Sequence, residues 1–81
     1  MVEVIIEIAL RKGVADPEGD ATLKALRLLG FSNVSSVGSA KLFRIRLDER
    51  DPARAKAEAE EMCRKLLANP VIHDYTIAVH P

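Results

Sequence analysis

Val2, Val4, Ile6, Ile8 and Leu10 alternate with Glu3, Ile5, Glu7, Ala9 and Arg11. A repeat of two residues places the first set on one face of a strand, and no helix satisfies it. Leu42, Arg44 and Arg46 alternate in the same way with Phe43, Ile45 and Leu47, and Tyr75, Ile77 and Val79 supply a third such segment. These strands have one apolar face, so the chain needs a layer of helices to cover it.

Two Asp-Pro pairs provide the helix starts. Asp16-Pro17-Glu18 reads as an N-cap, a proline at the first helical position and an acid in the first turn, where the free amides and the helix dipole favour them. The spacing predicts a helix from there to about Leu29, closed by Gly30 in a left-handed C′ position with Phe31 folding back on Leu26. Asp51-Pro52 opens a second helix, with Ala55, Ala59, Met62 and Leu66 at helical spacing on its inner side. Glu60 with Arg64 and Glu61 with Lys65 form i, i+4 pairs on its outer side. Pro70 disfavours helical geometry at Asn69, so this helix ends near Ala68. A short strand at Val34 to Val37 and a turn at Gly38-Ser39 complete a β-α-β-β-α-β order. This is the α+β, ferredoxin-like sandwich, with two helices on one face of an antiparallel sheet. Its other face carries Glu3, Ile5, Glu7, Ala9, Leu42, Arg44, Arg46, Thr76 and Ala78. Ile5, Ala9, Leu42, Arg44 and Arg46 are the candidate interface residues there, with Glu3 and Glu7 opposite the two arginines.

At 81 residues, residues 1–81 make one domain, and a domain of this size buries only about two-thirds of its unfolded surface. A single Cys63 forms no internal disulfide, so association is the expected supplement to a thin core. Lys plus Arg equals Asp plus Glu, twelve of each, which removes the basic excess that draws nucleic acids. The three aromatics Phe31, Phe43 and Tyr75 do not line the open face as an RNA platform requires. No apolar run approaches the roughly 20 residues of a membrane span, and acids interrupt the first ten residues where a secretion signal has a basic start. Cytoplasmic residence is the expectation.

No catalytic constellation emerges. His73 and His80 stand at opposite ends of the last strand, which gives no metal site. His73 is read as a partner of Asp74 or of a backbone group. Cys63 lacks a base and is read as a half-buried structural thiol. Arg11-Lys12-Gly13 with Asn33 resembles the phosphate loop and asparagine of acylphosphatases, but a plain turn at Gly13 is the preferred reading.

Three longer segments carry a broader resemblance. Residues 10–19 around Gly13, Asp16 and Pro17, residues 25–31 ending in Gly30-Phe31, and residues 66–75 with Asn69-Pro70-Val71-Ile72-His73-Asp74-Tyr75 resemble, in this order and spacing, the PurS family. PurS is the small subunit of phosphoribosylformylglycinamidine synthase. The resemblance implies a complex that converts formylglycinamide ribonucleotide, glutamine and ATP into formylglycinamidine ribonucleotide, glutamate, ADP and phosphate. It further implies a PurQ-type glutaminase that releases ammonia, and a PurL-type synthetase that binds ATP, magnesium and the ribonucleotide. This chain would then bind no cofactor and contribute no catalytic residue. Its role would be assembly and support of ammonia transfer, as a homodimer or homotetramer. The competing reading is a free-standing ferredoxin-like module that binds a small effector at an oligomer interface.

Overall fold

The strand alternation is realised in full. In a computed structural model that describes residues 1–80, β1 (Val2–Leu10) lies between β2 (Ala40–Leu47) and β3 (His73–His80), antiparallel to both. The register sets Val4 against Ile45 and Val79, and Ile6 against Phe43 and Ile77. Val2, Val4, Ile6 and Ile8 are therefore buried in a row along the central strand. This is the α+β, ferredoxin-like arrangement with one strand fewer than expected. Residues 34–39 form no strand and no turn. Ser35 and Ser36 are exposed and offer little to a sheet, and the Gly38-Ser39 turn that would fold a strand back beside β2 does not close.

Both helices begin where the Asp-Pro pairs place them. Asp16 accepts a hydrogen bond from the Gly19 amide at 3.0 Å and opens α1 (Pro17–Leu28). Asp51 accepts one from the Ala53 amide at 3.0 Å and opens α2 (Pro52–Met62). α1 ends as a Schellman motif, with Phe31 N donating to Leu26 O at 3.0 Å, Gly30 N to Arg27 O at 3.1 Å and Gly30 at φ +100°. The Phe31 ring nevertheless remains half exposed.

α2 covers the sheet through Ala55, Ala59 and Cys63, all fully buried, instead of through Met62 and Leu66. Leu66 is 83% exposed. Steps of four residues drift around a helix, and these small side chains let its backbone approach the strands. A π turn at Cys63–Leu67, closed by Ala68 N donating to Cys63 O at 3.0 Å, then brings Ala68 onto the same buried stripe. The chain reverses at Asn69-Pro70. Asn69 Oδ1 accepts from Val71 N at 2.9 Å, and the Asn69 amide donates to His73 Nδ1 at 2.9 Å. The backbone-partner reading of His73 is thus the observed one.

The expectation that two helices cover the sheet fails for α1. α2 lies against β1 and β3, whereas α1 makes no more than marginal contact with any strand. The molecule is 48 Å long, close to the roughly 31 Å of a nine-residue strand plus the roughly 18 Å of a twelve-residue helix laid end to end. Its radius of gyration is 16.0 Å, against about 12 Å for a compact domain of this length. α1 is an arm that extends past the end of the sheet.

Candidate functional site

The open face of the sheet carries the residues expected of it. Ile5 sits between Arg44 and Ala78, Glu7 between Leu42 and Thr76, and Ala9 between Ala40 and Asp74. All point away from α2, since each alternates with a buried member of β1. Leu42 is 56% exposed, with Ile5 and Ala9 partly covered beside it. The charge pattern differs in detail. Glu3 is opposite Arg46, but Arg44 faces Ile5 and reaches Glu3 only diagonally, at 3.9 Å. Glu7 has Leu42 opposite it and no arginine. Ile5, Ala9 and Leu42 thus surround Glu7 on this face, with Arg44 beside Ile5 and Arg46 beyond it, a small mixed surface able to make contacts but not chemistry.

On the helix side, a groove of about 510 Å³ runs between β2 and α2, lined by Ile45, Met62, Leu66 and Leu67 with Glu58, Glu61 and Lys65 at its rim. It exists because α2 stands over β1 and β3 and leaves the inward residues of β2 only half covered. Lys65 pairs with Glu61 at 3.7 Å. The other expected pair, Glu60 with Arg64, does not form among the described residues.

Cys63, Arg11 and the Gly13 turn, the features singled out for chemistry, make structural contacts. Cys63 is buried beneath α2, and that burial, helped by nearby Glu60, pushes its thiol pKa up, away from the reactive thiolate. Arg11 Nε donates to His73 O at 3.2 Å and lies 3.5 Å from the Asp74 carboxylate. Arg11 therefore joins the start of β3 to the end of β1. Gly13, at φ +90°, forms a turn closed by Val14 N donating to Arg11 O at 3.0 Å. The full length of α1 separates this turn from Asn33, so the acylphosphatase arrangement is not assembled. Among the described residues no three His, Cys, Asp or Glu side chains converge as metal ligands.

Sequence reasoning missed the role of Ser39. Besides capping α1, Asp16 accepts a hydrogen bond from the Ser39 amide at 2.7 Å and another from the Ser39 hydroxyl at 2.7 Å. These bonds, the amide of Ser39 first and that of Gly19 next, hold the Asp16 carboxyl below its ordinary pKa. The clasp ties the start of the arm to its return strand, 23 residues on. Nothing in the local sequence around Ser39 marks it as a partner of Asp16.

The family model described as PurS: Phosphoribosylformylglycinamidine (FGAM) synthase matches residues 3–81. The chain belongs to the PurS family. Over 72 residues it is 58% identical to the phosphoribosylformylglycinamidine synthase subunit PurS of Archaeoglobus fulgidus, covering 89% of this chain and 90% of that one. The crystal structure of Methanocaldococcus jannaschii PurS superposes with a TM-score of 0.90 at 49% identity, covering 99% of this chain and 96% of that chain. That protein is described as one of the subunits of formylglycinamide ribonucleotide amidotransferase in the purine biosynthetic pathway. A chain in the structure of PurLQS from Thermotoga maritima has the same fold, with a TM-score of 0.88 at 23% identity over 98% of this chain and 96% of that one. The PurS resemblance carried by residues 10–19, 25–31 and 66–75 is thereby established.

Proposed function

We propose that this chain is the non-catalytic assembly subunit of phosphoribosylformylglycinamidine synthase in purine biosynthesis. The observation that carries the proposal is the family match across residues 3–81, in a chain whose one thiol is buried. The complex converts formylglycinamide ribonucleotide, glutamine, ATP and water into formylglycinamidine ribonucleotide, glutamate, ADP and phosphate. A PurL-type synthetase subunit holds ATP, magnesium and the ribonucleotide, and a PurQ-type glutaminase releases the ammonia. This chain brings them together in the cytoplasm as a homo-oligomer, most simply a dimer. No described helix is long and apolar enough to cross a membrane.

The open face of the sheet is the surface assigned to subunit contact, with Ile5, Ala9 and Leu42 as its apolar residues around Glu7 and with Arg44 and Arg46 beside them. Exposed apolar residues set among charges are suited to protein partners.

Reconstitution tests the reading. The purified chain alone is expected neither to hydrolyse glutamine nor to consume ATP, and amidine formation should appear when synthetase and glutaminase are added. Amidine formation at full rate without this chain would refute the assembly role. Leu42→Asp puts a charge among the apolar residues of this face and should weaken recovery of the partners while the fold, monitored by circular dichroism, stays intact. Undiminished recovery would remove the open face from the proposal.

A further inference from the structure

A separate cavity, of about 290 Å³, lies between the edge strand β3 and the π turn that follows α2. Its size stands just below the roughly 300–1,000 Å³ of small-molecule sites. Hydrogen-bond donors gather in its walls. Tyr75 pairs with the buried Ile8 across the ladder, so its side chain stands on the face that α2 covers. Arg64 comes from the π turn and has no ion-pair partner among the described residues. Arg11 reaches in from the end of β1 with its Nε engaged by His73 O and Asp74, which leaves its two Nη groups. His73 is a donor as well. The Asn69 amide, at 2.9 Å, can donate only to a bare Nδ1, so the ring proton sits on Nε2.

Acceptors are scarcer in the same walls. Asp74 is the one acidic residue of the lining, and Arg11 stands beside it at 3.5 Å. Two arginines against one aspartate leave a net positive charge. The floor at Ala68 and Pro70 is small and apolar.

We propose that this cavity binds a small aliphatic carboxylate, with Arg64, His73 Nε2 and the Tyr75 hydroxyl donating to the carboxylate and Ala68 and Pro70 receiving its hydrocarbon body. A guanidinium matches a carboxylate through two parallel N–H bonds, and charge-assisted bonds of this kind are about twice as strong as neutral ones. Phosphate fits less well. Its second negative charge exceeds the single positive charge of the walls and faces Asp74, and it offers no apolar body to the floor.

Butyrate, a carboxylate on a short hydrocarbon chain, is the probe. It is titrated into the ¹⁵N-labelled wild-type chain at constant ionic strength, and the amide, arginine Nε and histidine ring signals are followed by NMR. Saturable shifts confined to Arg64, His73, Tyr75 and their neighbours are expected, with the His73 proton on Nε2 before and after addition. Arg64→Gln should weaken binding about tenfold or more, the effect of losing a hydrogen bond to a charged group. Tyr75→Phe keeps the ring and should weaken it by a smaller factor. Shifts that never saturate, or an affinity unchanged in Arg64→Gln, would overturn the site. Inorganic phosphate binding as tightly as butyrate would overturn the carboxylate assignment and leave an adventitious anion only. Recovery of a synthetase and a glutaminase by the Arg64→Gln chain separates a free ligand from an acidic side chain of a partner. Undiminished recovery is expected, and its loss would overturn the small-molecule assignment.

Discussion

The sheet with α2 and the arm built on α1 are made from the same chain by different means. In the first, four aliphatic side chains of β1 and a stripe of small residues on α2 exclude water from both sides, and each strand is paired along the ladder. In the second, one glycine is buried, and order comes from a proline start, a Schellman end and a carboxylate bonded to Ser39 and Gly19. Polar caps specify where a helix begins and ends, but they do not replace a buried face. One region supplies its own stability, and the other depends on what it meets.

Changes in the two regions should therefore have different signatures. Ile6→Ala opens a cavity under α2 and should cost about 2–5 kcal/mol. Thermal unfolding should show the loss at every protein concentration, and a loss that disappears on concentrating the sample would mean that the sheet also relies on association. Gly19→Ala acts on the arm. An added Cβ would stand 2.5 Å from Val37 O and 2.7 Å from Asp16 Oδ2, forcing the clasp apart at a cost of about 1–3 kcal/mol. Hydrogen exchange should speed up in α1 and leave β1 unchanged.

Pro70→Ala tests the junction on the sheet side. Asn69 already bonds Val71 and His73, so the proline adds chiefly restriction of the unfolded chain, about 1 kcal/mol. A fall in melting temperature without loss of complex formation is the expected result.

The smallest effect is a pH dependence of the clasp. Because the folded-state pKa of Asp16 lies below its ordinary 3.8, the stabilisation is complete above pH 3.8 and is lost as the pH falls through the folded value. Protection of the Ser39 amide should weaken in that acid range, and Asp16→Asn should abolish this dependence. A Ser39 amide that exchanges identically in wild type and variant would show that the carboxylate does not hold the hinge.

The parts legible in the sequence are those set by local chemistry. Alternation in Val2–Leu10 dictates a strand and its buried face, and Asp16-Pro17, Asp51-Pro52 and Asn69-Pro70 place helix boundaries within a residue or two. The open-face set was legible for the same reason, although the exact cross-strand partners of Glu7 and Arg44 depend on register. Three features were not legible. Met62 and Cys63 both fit an inner helical stripe after Ala59, and only the approach of the helix to the sheet selects Cys63. The apolar character of α1 likewise says that one of its faces suits a covered position, but not that the helix stands away from its own sheet. Gly38-Ser39 permits a turn without requiring one, and its openness depends on a bond to a residue far earlier in the chain.

Hydrogen exchange of the wild-type chain, measured by mass spectrometry at concentrations above and below dissociation, addresses the contrast between the two regions directly. Peptides from α1 should lose protection on dilution, while those from β1 keep it. Equal protection of α1 and β1 at every concentration, with the mass remaining at the 8.9 kDa of a single chain, would contradict the account.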